Sequence, residues 1–303
     1  MIDWYFAHIT LVQATFLSFL VALSIQVPMR FGVFSFAGVA AYGVGAYTTA
    51  IAIVHWELPT LVAIVAGIVA ASVMSLVLAL ILQRLTGLYL AMATISVTLI
   101  VGIVANNGGE LTGGPTGLFG VFGDIQVGHL VAIAIAMALV LVWAERGRMG
   151  RRISAVREDP ELAGALGINV PRYRIVAFMA SGFLGSLAGG LEVIMRTTIA
   201  PTNIGFGLVV TALTVIIVGG IRSWLGAAIG AVLVTWLPYV LEDLNQYQHI
   251  IYGVLVVLAA IFVPGGLLGI IESVIKRFRR RGSDDNSAPA AALPEDKVLE
   301  GRR

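Results

Sequence analysis

Nine apolar stretches follow one another along this chain, at about 9–28, 31–54, 59–82, 88–105, 128–144, 173–195, 205–221, 224–241 and 248–271. Each is close to the roughly 20 apolar residues that a helix needs to cross a hydrocarbon core about 30 Å thick. In lipid, backbone N–H and C=O groups must be satisfied internally, which a helix does by itself. The composition agrees. Of the 303 residues, 58% are hydrophobic and 12% charged, about half the roughly 25% charge of soluble domains. The expected fold class is an all-α polytopic membrane protein with about 8–9 transmembrane helices. Gly and Thr interrupt the second and seventh stretches, which are the least regular of the set.

The gaps between the stretches alternate in charge. One set carries Arg30, Arg84, the segment from Glu145 to Arg174, Arg222, and Lys276, Arg277, Arg279, Arg280 and Arg281. The other carries Asp3, His55, Glu57, Glu110, Asp124, Glu242 and Asp243, with Arg196 as its one basic residue. Fifteen of the sixteen Lys/Arg before the far tail therefore fall on one side. Positive loops stay cytoplasmic, so the N-terminus is expected outside, the C-terminus inside, and the number of spans odd. The N-terminal MIDWYFAHIT has no basic run of the signal-peptide kind, and the stretch after it reads as a retained span. There is no Cys, which rules out disulfides and thiolate metal sites. Residues 282–303 are poor in apolar side chains and are expected to be a disordered cytoplasmic tail behind a transmembrane domain at 1–281.

The 145–174 segment holds nearly a third of the charged residues in a tenth of the length. At its centre Asp159 is placed to cap a helix and Pro160 to open it. Glu161 suits the positive end of the helix dipole, and Gly167 suits a left-handed stop. Two turns, Pro160 to Leu166, are expected, with Leu162, Ala165 and Leu166 on one apolar side. So short a helix is unstable alone and must dock, either on its own bundle or on a partner.

Inside the spans, glycines at Gly185 and Gly189 and at Gly226 and Gly230 read as close helix contacts. Glu192 and Arg196 stand four apart on one helix face, spaced to neutralise each other, and this reading is favoured over a contact with an amphiphilic substrate. Thr94 and Thr98 share a face, as do Thr211 and Thr214. Hydroxyls bonding back to their own helices explain them as well as a polar pathway does. Two irregular stretches, NNGGELTGGPTGLFG at 106–120 and RTTIAPTNIGFG at 196–207, fall on the outer side and suggest a structured vestibule. The first reads either as a re-entrant loop or as an ordinary outer loop. No span carries a carboxylate at its middle, and no HExxH, nucleophile elbow or GxxxxGK[ST] occurs. An ATP-driven role would need another subunit to bind the nucleotide.

Arg157-Glu158-Asp159-Pro160-Glu161-Leu162-Ala163-Gly164-Ala165-Leu166-Gly167 resembles the coupling motif of permease subunits in ATP-binding-cassette importers. The likeness to the branched-chain amino-acid permease family, on its M-type side, continues in order. It runs through Arg84 to Thr94, Asn107 with Leu111 to Gly117, Phe178 to Leu191, Ile217 to Gly230 and Val263 to Gly269. The resemblance implies an importer permease fold with a short cytoplasmic coupling helix in a bacterial inner membrane. It implies two cytosolic ATPase subunits, a second permease subunit (a heterodimer being favoured) and an external binding protein. It implies no catalytic residue, no metal and no cofactor in this chain, ATP being bound by the partners. Arg157, Glu158, Asp159, Glu161, Ala165, Leu166 and Gly167 would contact the ATPase. Thr94, Thr98, Asn107, Thr112, Gly113, Gly114 and Glu192 would belong to the pathway. The run Phe34-Ser-Phe-Ala-Gly-Val39 lacks a His that many relatives carry, which leaves the cargo open between branched-chain amino acids, urea and other small polar solutes. The rival is a secondary carrier without an ATPase, which internal inverted repeats would suit. Only a faint echo links 93–103 to 211–221.

Overall fold

The structure is a computed structural model that describes residues 8–221, 223–241, 251 and 253–254. Most of the ninth apolar stretch, at 248–271, and the tail at 282–303 lie outside the described residues, as does the boundary between them. The helices are α1 (Ile9–Arg30), α2 (Ala37–Val54), α3 (Thr60–Leu82), α4 (Gly87–Asn107), α5 (Val127–Ala144), α6 (Gly147–Glu158), α7 (Pro160–Ala165), α8 (Val170–Arg196), α9 (Phe206–Gly219) and α10 (Trp224–Val240). Seven are long and apolar enough to cross a membrane, the seventh counted from Pro201 through Gly219, and α10 is a shorter apolar helix. Eight expected spans thus have a helix, and their ends agree within a few residues except at one point.

That point is the start of the second span. The expected span begins at 31, whereas α2 begins at Ala37. Gly32 has φ +75°, which ends α1, and Val33 N–H bonds back to Pro28 O at 2.9 Å. The first turn of α2 is then capped from two sides. Phe36 N–H donates to Thr94 Oγ1 on α4 at 2.9 Å, and Ala37 N–H donates to Ser35 Oγ at 3.2 Å. Orphan donors at a helix start need such acceptors, and hydropathy does not register them.

Helices α2 and α8 form the centre. In each, 72% of the apolar window is buried, against 22–33% in α3, α4 and α5, which leave most of their surface to lipid or to another chain. Small residues set this centre. A Cβ added at Gly185 would collide with Gly38 O, one at Gly189 with Tyr42 O, and one at Gly45 with Ser186. The backbones therefore touch, as small residues allow where lipid supplies no hydrophobic drive. Ser181 Oγ donates to Ser24 O at 2.6 Å and ties α8 to α1. Glycines at 226 and 230 do the same for α10, against Gly219 and the Val215 carbonyl of α9. Both expected glycine contacts thus serve packing.

A buried amide secures the turn between α9 and α10. Gln26 Nε2 donates to the carbonyls of Gly220, Ile221 and Ser223 at 3.3, 3.1 and 2.9 Å. The turn's carbonyls would otherwise go unpaired beside the core.

Candidate functional site

Among the described residues, the gaps after α1, α3 and α5 meet at one end of the bundle. Arg30, closing α1, pairs with Glu145, which follows α5. Arg174 Nη1 donates to Gln83 O, just past α3, at 3.0 Å. A Cβ at Gly32 would lie 3.0 Å from Arg157 Cα, so the end of α6 rests on the turn between α1 and α2.

At this end α7 has the capping expected of it. Asp159 Oδ1 accepts from Glu161 N–H at 3.0 Å and from Leu162 N–H at 2.9 Å. At the other end Gly167 has φ +82°, and the Ile168 and Gly167 N–H groups bond to Ala163 O and Gly164 O, each at 3.0 Å. This pair of bonds is the Schellman arrangement. Helix α7 stops at Ala165, with Leu166 as its cap residue. Of its side chains only Ala163 is buried, at 1% exposure, against Leu162 at 57% and Leu166 at 72%. The apolar side faces away from the protein. Glu161, Ala165 and Gly167 are exposed with it, as are Arg157 and Glu158, which lie 3.9 Å apart at the end of α6.

Helix α6 is an element that sequence reasoning missed. The arginines from 146 to 152 read as topology signals, yet residues 147–158 are helical. Ile153 and Val156, three apart, bury one face of it while the arginines at 148, 151 and 152 stay exposed. That spacing was the available signal.

The opposite end gathers the two irregular stretches. Leu118–Phe119 (β1) pairs antiparallel with Thr198–Ile199 (β2), Leu118 opposite Ile199. Val121 N–H extends the ladder to Thr197 O at 3.1 Å. Gly117 is needed here: it has φ +80°, and a Cβ would strike Ile199 O. Around the ribbon, Gly109–Leu111, Gly114–Thr116 and Pro201–Asn203 form short 3-10 turns. Thr112 is buried and its Oγ1 accepts from Gly114 N–H at 3.4 Å, while Gly113 and Gly114 both adopt positive φ. Asn107 is exposed, and its Nδ2 donates to Ile103 O at 2.8 Å. Asn107, Thr112, Gly113 and Gly114 are therefore gathered in one loop.

Thr94 and Thr98 stand apart from that loop. Both are fully buried, and their hydroxyls donate within α4, to Leu90 O at 2.9 Å and to Thr94 O at 3.1 Å. Thr94 also caps α2, as above. Glu192 lies on α8, where its Oε1 is 2.8 Å from Arg196 Nε. Its side chain is 15% exposed and that of Arg196 55%. The Tyr42 hydroxyl of α2, far away in sequence, faces the Glu192 carboxylate. Among the described residues no group of His, Asp and Glu is arranged to hold a metal.

Comparison with known proteins bears on this geometry. Residues 8–260 match the model of a family described as branched-chain amino acid transport system, permease component. The high-affinity branched-chain amino acid transport system permease protein LivM of Salmonella typhimurium is 28% identical over 270 residues, covering 78% of this chain and 63% of the relative. The chain thus spans somewhat less than two thirds of that relative's length. A probable branched-chain amino acid permease, LivH of Methanocaldococcus jannaschii, is 28% identical over 169 residues, 53% of each chain. The galactose/methyl galactoside import permease MglC of Haemophilus influenzae is 31% identical over 140 residues, 43% of this chain and 41% of the relative. A multi-helical bundle, matched over most of its length by one family, leaves a single assignment: the chain belongs to the branched-chain amino-acid transport system permease family.

Proposed function

We propose that this permease is one membrane subunit of an ATP-driven importer, and that α7 is the element through which ATPase subunits drive it. One observation carries the proposal. A helix of six residues is capped at both ends yet turns Leu162 and Leu166 away from its own bundle. Two turns of helix are marginal in water, and two exposed leucines beside an acidic first turn suit a groove on another protein. The residues from 157 to 167 would fill that groove, with Glu161 at its edge. Helix α6 rests on the turn after α1 through Gly32 and Arg157. A displacement of α7 would pass along that contact into α1 and α2 without chemistry in this chain.

The rest of the assembly follows in the same reading. The arginine-rich end faces the cytosol of a bacterial cell whose inner membrane the chain spans, with the N-terminus outside and the C-terminus inside. The ribbon end, with Asn107, Thr112, Gly113 and Gly114, receives a solute from an external binding protein, and Glu192 lies on its route. Thr94 and Thr98 support that route from within the bundle. A second permease subunit covers the exposed faces of α3 to α5, a paralogue being favoured because the LivM likeness is the longer one. The cargo is a branched-chain amino acid or a related small polar solute. The likeness to a galactoside permease runs over less than half of each chain and leaves the scaffold open to other cargo.

The test is Glu161→Lys in the assembled complex. ATP-dependent uptake and stimulation of ATP hydrolysis should fall by roughly tenfold or more, while the amount of subunit in the membrane stays as in wild type. Wild-type uptake in this variant would remove α7 from the drive.

A further inference from the structure

We infer that the Glu192–Arg196 pair on α8 is the subsite that recognises the paired charges of a zwitterionic amino acid. The inference rests on the importer reading above and assigns its cargo chemistry. The pair borders a cavity of about 160 Å3 enclosed by α1, α8 and α9. Ser18 and Thr211 add hydroxyls to the wall, and Ala14 and Leu208 add apolar surface. A single charge within a span is costly, and ionisable residues there usually have a task. Mutual neutralisation explains why both residues are tolerated. It does not explain why they line a cavity, nor why their surroundings are so unequal.

The carboxylate is held from two directions. Arg196 Nε lies 2.8 Å from one oxygen, the Tyr42 hydroxyl faces the group, and the side chain is mostly buried. The guanidinium spends Nε on this contact and leaves its outer N–H groups at a side chain 55% exposed. A guanidinium edge takes a carboxylate through two parallel N–H bonds. An amino acid entering the cavity would place its α-carboxylate on that edge and its α-ammonium against Glu192. Its aliphatic side chain would then lie along Ala14 and Leu208. A neutral solute such as urea or a sugar can hydrogen-bond to either group but brings no charge to pair with them, so the subsite favours zwitterions.

The test uses the full importer complex in vesicles, with its binding protein and internal ATP, and L-leucine as the probe. Arg196→Gln and Glu192→Gln should each lower L-leucine uptake by roughly tenfold or more. Because either variant could also disturb packing, the deciding variant carries Glu192→Arg together with Arg196→Glu. It keeps an ion pair at the same spacing, and the Tyr42 hydroxyl can accept from an arginine there as readily as it donates to a carboxylate. A purely structural pair predicts that the exchanged variant transports as wild type, which would overturn the inference. The subsite predicts normal assembly of the complex with uptake still reduced, because the charges meet the cargo in reversed order. The ammonium and phosphate of an ethanolamine lipid share this chemistry. A loss confined to vesicles containing that lipid would overturn the cargo assignment; the same loss in phosphatidylcholine–phosphatidylglycerol vesicles supports it. Absence of ATP-driven L-leucine uptake in the wild type would instead overturn the reading on which the inference rests.

Discussion

Two single residues decide whether α7 exists. Asp159 satisfies two N–H groups that the first turn cannot pair by itself, and replacing such a cap by Ala costs about 1 kcal/mol. In a helix of six residues that is a large share of the whole. Asp159→Ala should therefore lower ATP-dependent uptake several-fold, whereas Asp159→Asn, which caps equally well, should restore it. Failure of Asn to restore uptake would move Asp159 from cap to charged contact. Gly167 presents a different constraint. Nothing lies within 4 Å of where its Cβ would be, so space is not limiting, but its φ of +82° is. The left-handed region costs an L-residue roughly 1–2 kcal/mol, most for a β-branched one. Gly167→Val should depress uptake and ATPase stimulation together, while Gly167→Asn should keep both. At this scale the sequence was readable because caps and stops are local: the residues that make α7 lie within ten positions of one another.

Elements were readable where lipid dictates them and obscure where contacts between distant segments do. A hydrocarbon core demands long apolar runs, and the helix ends followed from them with one exception, at α2. There the start depends on Thr94, a partner 58 positions from Phe36. The β1–β2 ribbon joins segments some 80 positions apart and left only the glycines and prolines of its turns as a trace. Helix α6 was hidden by its own arginines, because charge read as topology drew attention from the Ile153 and Val156 spacing. The α2–α8 contact is the element-scale feature open to direct test. Gly185 meets the Gly38 carbonyl with no room for a Cβ, so Gly185→Leu should push the two helices apart. Overpacking of this kind costs about 1–3 kcal/mol or more. The expected result is a marked loss of folded protein after detergent extraction, read by size-exclusion chromatography and thermal unfolding. The same change at Gly128, where nothing lies within 4 Å, should leave both unaffected.

In the whole molecule, chemistry is divided between two ends. The arginine-rich end carries α6 and α7 and the turns that touch them. The other end carries a ribbon and a glycine-rich loop. Just inside that end, Glu192 and Arg196, the last residue of α8, border a cavity. The sorting of charge was visible in the sequence, since it depends only on which gaps carry Lys and Arg. That Glu192 also faces Tyr42 was not visible, because no pattern links positions 42 and 192. Nor was the side of α7 that faces outward: periodicity marks an apolar face without saying what covers it. The central claim is that an ATPase subunit covers it, and the chain has no Cys, so one introduced thiol reports on one place. With Leu166→Cys as the sole cysteine of this subunit, maleimide labelling should proceed readily on the isolated permease and fall by roughly tenfold in the complex assembled with its ATPase subunits. A bifunctional maleimide reagent should then join this subunit to an ATPase subunit. Equal labelling of Cys at this position in both states, with no cross-link formed, would contradict the account.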